Sequence, residues 1–456
     1  MTFSQNIRPR SRGEENTARR VRATATRQLI LAEAARRFRR RGYTASSLKD
    51  IAAGAGIAAG SIYYYFSSKE ELLDEVLDKG CRQIIDFVSA ARSRSEAEGG
   101  DFRRVFRAMV HAHLYYLLYA GDFTAASIRN FSMLPPENQA RHRQTFEIYG
   151  NIWEEAFENA MRNGELRADL DTAFLQRIII GALNWTVEWF DTEQYSITSF
   201  ADRVADILLD GMLRPGFSWH GRTALSIPVE PLEALVARQP KFGKSRLGIL
   251  IAAARVLRER GYEGVTLRHI AEVAGMEAGS IYYHFSSKEE IIDEVLARGL
   301  NEVADGVASV IESKEKFACP VACVAAAVRT HMLYLFVRND FVGMNMRIYS
   351  QLPQDVQDRH QPVRQRLAAV WSDCLSLVGA SHEFRDEIEI LPTRQLLLGA
   401  LNWTALWFKP DRETTADSHS LDDLVDMILT LFFDGLSRET PQNHAAYAEA
   451  GALPTF

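Results

Sequence analysis

At 456 residues, 47% hydrophobic and 25% charged, the chain is long enough for two or three domains and has the balance of an ordinary globular protein. Its apolar runs stop short of the roughly 18 residues a bilayer crossing needs, Met1–Arg12 has no signal-peptide core, and four cysteines make no disulfide framework, so a soluble, cytoplasmic protein is expected. The net charge of −6 hides a gradient: residues 1–50 hold thirteen Lys/Arg against four acids, a local +9 that favours a polyanion contact at one end.

The strongest feature is an internal duplication. "GSIYYYFSSKEELLDEVL" at 60–77 returns as "GSIYYHFSSKEEIIDEVL" at 279–296, with fifteen of eighteen positions identical. "GALNWTVEWF" at 181–190 returns as "GALNWTALWF" at 399–408. The period is far too long for a solenoid, so each half is expected to be domain-sized. The boundaries read as a basic tail (1–21), a first head (22–81), a first helical domain (82–213) and a Pro-containing linker (214–240). A second head (241–300), a second helical domain (301–436) and a C-terminal tail (437–456) follow.

Taken in chain order, the periodicity is helical. Ile30, Ala34 and Phe38 recur at i, i+4, i+8, as do Ile249, Ala253 and Leu257. Ser47 is placed to cap a short helix from Leu48 to about Gly54, and Gly54 and Gly56 permit a sharp turn. A second short helix, about Ala58 to Tyr65, completes a helix-turn-helix, whose second helix is the one that enters a major groove. Ala59, Gly60 and Ser61 are small enough for close approach to base edges. Tyr63, Tyr64 and Tyr65 offer hydroxyls and ring faces, and Lys69 a phosphate contact. Three consecutive tyrosines cannot all face inward; Ile62 and Phe66 are the better core pair. Ser68 with Glu71, and Ser287 with Glu290, read as capping boxes opening the next helix. β-Branched alternation and hairpin dipeptides are nearly absent, so an all-α fold is expected.

"SLKDIAAGAGIAAGSIYYYFSSKEELL" and "TLRHIAEVAGMEAGSIYYHFSSKEEII" closely resemble the DNA-binding domain of TetR-type repressors. The distal "LPPE", "ALNWTVEWF" and "LLDGML" segments resemble, over shorter stretches, the regulatory domain of that family's acyl-CoA-responsive branch. The resemblance implies two tandem units, each a three-helix DNA-binding domain plus a helical regulatory domain, paired as an intramolecular pseudo-dimer. It places base contacts on Lys49, Ala59, Gly60 and Tyr63, and phosphate contacts on Ser61, Tyr64, Tyr65 and Lys69. In the second head these become Arg268, Ala278, Gly279 and Tyr282, then Ser280, Tyr283, His284 and Lys288. The family often has Ser or Thr capping the reading helix; Ala58 and Glu277 stand there instead, and alanine caps worse by about 1 kcal/mol.

In the distal segments, Trp185 and Trp189 at i and i+4 fall on one helical face and are expected to pair the halves rather than touch a ligand. Asn184 needs a partner if buried. Arg129 and Arg347 recur before a Leu-Pro turn in apolar helices, where an effector anion or an internal carboxylate would serve them. With Asn184, Trp185, Asn402 and Trp403 they form the candidate effector set. Cys319 and Cys323, one turn apart in an apolar stretch, read as core, and His111 and His113 at i and i+2 point apart, so neither a metal site nor a cofactor is expected. No motif of nucleophilic, P-loop or zinc catalysis occurs, and no enzyme is expected. The expected partners are a double-stranded operator, an imperfect palindrome, and a small anionic apolar effector such as an acyl-CoA. No membrane partner is expected, and homodimerisation is left open. The competing reading is a helical scaffold whose second helix-turn-helix binds protein.

Overall fold

The computed structural model describes residues 12–213, 217–219, 229–230, 234, 237–238, 241–262, 264–338, 341–342, 352–379, 383–386, 388–409 and 420–436. The fold is all-α. Among the described residues there is no strand, and one isolated bridge joins Leu213 to Phe384. The chain forms two compact units, residues 1–83 with 121–145 and residues 84–120 with 146–456.

The first unit is built on α1 (Arg12–Arg41), α2 (Leu48–Gly54), the start of α3 (Lys69–Ala97) and α5 (Asp122–Asn130). Ile30, Ala34 and Phe38 are fully buried and meet Ile51, Ile62, Phe66 and Leu73, as the spacing predicts. Arg27 reaches across from α1 to pair with Glu75 of α3, its guanidinium 4.6 Å from the Phe66 ring centre. The end of α1 is closed by α5. Asn130 donates to the Phe38 carbonyl at 3.1 Å and accepts from the Tyr43 amide at 2.8 Å, and Arg129 donates to the Arg39 carbonyl at 2.5 Å. These contacts satisfy polar groups left open where α1 ends.

In the second unit, α4 (Phe102–Tyr115), the part of α6 (Pro136–Asn163) from Phe146 on, α7 (Thr172–Asn184) and α8 (Ile197–Asp210) carry the first regulatory half. The second head contains α9 (Lys241–Arg260), α10 (Leu267–Ala274), α11 (Ala278–Ile281) and the start of α12 (Lys288–Glu312). Ile249, Ala253 and Leu257 line its core with Ile281 and Phe285. Arg246 repeats the role of Arg27, pairing with Glu294 and lying 4.5 Å from the Phe285 ring centre. The second regulatory half adds α13 (Pro320–Val337), α14 (Gln354–Gly379), α15 (Ile390–Trp403) and α16 (Leu421–Asp434). Helix α13 is long and apolar enough to cross a membrane by length and composition, although Arg329 and His331 interrupt its apolar run. Most of that helix is buried against α12, α14, α15 and α16.

The halves meet along α7 and α15, and along α8 with α15 and α16. A Cβ on Gly181 would stand 2.6 Å from the Trp403 indole, and one on Gly399 would stand 2.7 Å from the Trp185 Cβ. Each G-A-L-N-W run thus supplies both a notch and a tryptophan that closes on the other notch, Trp403 with its indole and Trp185 with its Cβ. Beyond the seam, Arg167 approaches Asp434 at 3.3 Å and Arg385 approaches Asp210 at 3.6 Å, a reciprocal pair between the halves. Gly211 and Gly435 end α8 and α16 at φ of 67° and 74°, values that favour glycine. That turn lets the Met212 and Leu436 amides reach the Phe432 and Leu208 carbonyls at 2.8 and 2.9 Å.

Candidate nucleic-acid interface

The two heads build the same exposed platform. In the first, Ser47 caps α2 by accepting from the Asp50 amide at 3.1 Å. The turn is made by Gly56 at φ 71°, and in the second head by Gly275 at φ 67°. Gly54 does not share that role. It lies inside α2, where a Cβ would run into the carboxylate of buried Glu33, itself held by Arg36 and Arg37. The second head has Val273 and Ala252 at the matching places, so the bulk has changed sides.

The reading segment of the first head is a 3-10 helix, Ala59–Tyr64, with no side-chain cap from Ala58. In the second head Ala278–Ile281 is one α-turn, and Glu277 gives no cap either. Ile62 and Phe66 are buried and anchor the segment, as do Ile281 and Phe285. That anchoring turns the tyrosines outward: Tyr63 and Tyr64 are 61% and 75% exposed, Tyr282 and Tyr283 62% and 83%. Tyr65 lies half-buried with its ring edge-on to Tyr64 at 5.0 Å, and His284 holds the matching half-buried place. Lys49, Ala59, Gly60 and Ser61 are exposed, as are Arg268 and Gly279, while Ala278 and Ser280 are half-buried. Of the predicted contact residues, Ala59–Tyr65 and Ala278–His284 lie on or just after the reading segments, Lys69 and Lys288 open the helices that follow, and Lys49 and Arg268 stand in the first turn of α2 and α10.

Lys69 and Lys288 are half-buried at the edge of this platform. The Lys69 ammonium sits 4.0 Å from the Tyr43 ring centre, and burial lowers its pKa. Lys288 stands further off, 5.7 Å from the Tyr262 ring centre. The helices that follow are opened by a cap displaced from the expected box. Ser68 accepts from the Glu71 amide at 3.1 Å, but the Glu71 carboxylate accepts from the amide and hydroxyl of Ser67 at 2.7 and 2.6 Å. Ser287, Glu290 and Ser286 repeat the arrangement. The reciprocal arm takes the preceding residue because Ser67 offers two donors where the Ser68 amide would offer one.

Within each regulatory half the core holds a buried histidine, a role that the i, i+2 spacing does not suggest. His113 Nδ1 is 2.6 Å from the Tyr149 hydroxyl, and His331 Nε2 is 3.0 Å from the Asn402 amide oxygen. Burial pushes their pKa values down to about 3 and about 4, against the pull of Asn184 and Asn402. The unfolded chain protonates these rings near 6.5, so below that pH it binds more protons than the folded chain. Stability is then full above pH 6.5 and falls as pH drops toward 4. Melting temperatures from pH 7 to 4 should show this loss, and the paired change His113→Gln and His331→Gln should reduce it. A wild-type and variant difference that stays constant with pH would contradict the assignment.

The candidate effector residues scatter. Arg129 contacts the end of α1, and Arg347 lies outside the described residues. Trp185 donates to the Gln395 side chain at 3.4 Å across the seam, and the Trp403 indole packs on Gly181. Trp189 does not share a face with Trp185, because α7 ends at Asn184 and residues 185–188 tighten into a 3-10 turn. Its indole turns instead to Phe190, Tyr195 and Phe200 of its own half.

Two sequence-family models match the chain, each twice. "Bacterial regulatory proteins, tetR family" matches residues 30–76 and 249–295, and "Tetracyclin repressor-like, C-terminal domain" matches residues 99–212 and 319–436. The HTH-type transcriptional repressor KstR2 of Mycobacterium tuberculosis is 31% identical over 166 residues, 35% of this chain and 79% of the relative. The fatty acid metabolism regulator protein of Bacillus subtilis is 25% identical over 175 residues, 38% and 87% of the two chains. Among solved structures, the TetR family regulator PfmR of Thermus thermophilus is 25% identical, covers 39% of this chain and 95% of its own, and superposes with a TM-score of 0.35.

Proposed function

The chain belongs to the TetR family of bacterial regulatory proteins and is a DNA-binding transcriptional regulator, and on that premise we propose that it is a cytoplasmic repressor that reads one imperfect palindrome with both heads of a single chain. The observation that carries this is the doubled platform: two reading segments, each presenting an exposed tyrosine pair over a buried Ile/Phe anchor. The seam between the halves supports it, since the faces that would pair two chains are here occupied within one. Half-sites about one helical turn apart, roughly 34–36 Å, suit such paired heads.

The effector is an anionic, partly apolar molecule, an acyl-CoA first. This follows the likeness of the distal segments to the regulatory domain of acyl-CoA-responsive regulators. Its entry into a regulatory core changes the setting of the heads and releases the operator.

The test begins with an operator selected from random duplexes by the purified chain. One chain should bind one palindrome, and affinity should fall steeply with salt, by about 0.9 log units per log unit of salt for each phosphate contact. Acyl-CoAs should then lower that affinity. Two chains per palindrome would defeat the single-chain reading, and an affinity indifferent to every acyl-CoA would defeat the effector class.

A further inference from the structure

We propose that the two regulatory halves have divided their labour, and that the effector site lies in the second half alone, on the face of α13 that carries Thr330, His331 and Arg338. This rests on the effector reading above and deepens it. The comparison is internal, because the duplicated sequence supplies its own control. In the first half, His113 Nδ1 is satisfied by the Tyr149 hydroxyl at 2.6 Å. The matching residue in the second half is Leu367, which has no polar atom to offer. His331 Nδ1 accordingly has no hydrogen-bond partner among the described residues, although the ring is 1% exposed. Next to it Thr330 replaces Ala112. Its hydroxyl is also wholly buried and has no hydrogen-bond partner among the described residues.

The third difference is a charge. Arg338 stands where the first half has Ala120. It is 6% exposed, and neither its Nε nor its Nη1 has a partner among the described residues. Of the carboxylates that share its neighbour Tyr334, Asp305 meets Arg366 at 2.5 Å, and Glu302 meets Arg298 at 2.9 Å through Oε1 while its buried Oε2 has no hydrogen-bond partner among the described residues; neither forms an ion pair with Arg338 there. Folded proteins rarely bury a cation without an anion to meet it. Arg338 follows His331 by seven residues along α13 and its cap, two helical turns or roughly 10 Å on the same side. The chemistry that would complete all three groups is an anion at one end and, roughly 10 Å away, a hydroxyl that donates to His331 Nδ1, whose Nε2–H is given to the Asn402 amide oxygen, and accepts from the Thr330 hydroxyl. In the first half His113 Nε2 is likewise without a partner among the described residues, but Ala112 and Ala120 stand at the places of Thr330 and Arg338, so the hydroxyl and the cation that would hold the ligand have no counterpart there.

The experiment uses the full chain with decanoyl-CoA and decanoate as probes, which separate a phosphate-bearing ligand from a simple carboxylate. Calorimetric titration should give one site per chain for the probe that binds. Arg338→Gln should weaken that site at least tenfold, whereas Tyr149→Phe in the first half should leave its affinity unchanged. Two sites per chain, or an Arg338→Gln variant that binds as tightly as the native chain, overturns the proposal. Arg338→Met gives a readout independent of either probe. Removing a buried charge that has no ion-pair partner among the described residues should raise the melting temperature of the ligand-free chain, whereas removing an ordinary structural arginine would lower it. If neither probe binds, the acyl-CoA class fails. The Arg338 site then stands for another anion if Arg338→Met melts higher, and is overturned if it does not.

Discussion

Gly181→Val should collapse the pairing of the two halves and lower the affinity for a full palindrome by two orders of magnitude or more. The new side chain has nowhere to go. Even its Cβ would stand 2.6 Å from the Trp403 indole, and the two packed helices bury Ile178, Ala182, Leu397 and Ala400. Overpacking of this kind typically costs about 1–3 kcal/mol by itself. The larger loss comes from geometry, because two tethered heads bind as one ligand only while they can engage both half-sites together, and linkage of that kind is worth roughly 10²–10⁴ in affinity. The mirror change, Gly399→Val, meets Trp185 and should behave alike. Melting curves and operator titrations would measure both effects. The added change Trp403→Ala beside Gly181→Val should recover part of the loss, because it empties the space the valine needs. A Gly181→Val chain that melts and binds like the native one would refute the seam as the device that sets the heads.

That seam also separates what is legible in the sequence from what is not. The repeat of "GALNW" marks a pairing element, and the i, i+4 and i+8 spacing marks the head cores, because both signals are local and each is printed twice. The match between Gly181 and Trp403 is not local; it becomes visible only when the two copies are set against each other. The place of Gly54 is hidden for the same reason: its partner, the Glu33 carboxylate, lies 21 residues away on another helix. Trp189 leaves the face expected of it because nothing in "LNWTVEWF" announces that the helix tightens after Asn184. The capping boxes are legible, but their reciprocal arm falls one residue earlier than expected, since "SSKEE" offers two serines and only the built turn chooses between them. The tyrosines are legible because three aromatics in a row exceed what one buried face can hold. The buried histidines are not, because a lone histidine in an apolar helix carries no mark of what will face it.

The second large effect is an inequality between the heads: Tyr63→Ala should weaken operator binding more than Tyr282→Ala. The tyrosines themselves do not differ, being 61% and 62% exposed on equally anchored segments. The surroundings do. Residues 22–81 carry ten Lys/Arg and seven acids, a balance of +3, whereas residues 241–300 carry nine and eight, a balance of +1. The tail before residue 22 adds five arginines and two glutamates to the first head. At the entrance of the reading segment Ala58 is neutral, while Glu277 sets a carboxylate where phosphate oxygens must approach. The first head should therefore dock more firmly, and cutting a tyrosine's hold on DNA weakens binding more when its head is firmly docked. A base or phosphate contact of this kind is worth about 1–3 kcal/mol, roughly a five- to 150-fold change in affinity. Glu277→Ala should narrow the gap by strengthening the second head. Deleting residues 1–20 should flatten the salt dependence by about 0.9 for each phosphate that the tail neutralises. The measurement is titration of the two tyrosine variants on one selected operator at fixed salt. Equal weakening, or a greater effect from Tyr282→Ala, would mean that charge around the heads does not govern their share of the binding.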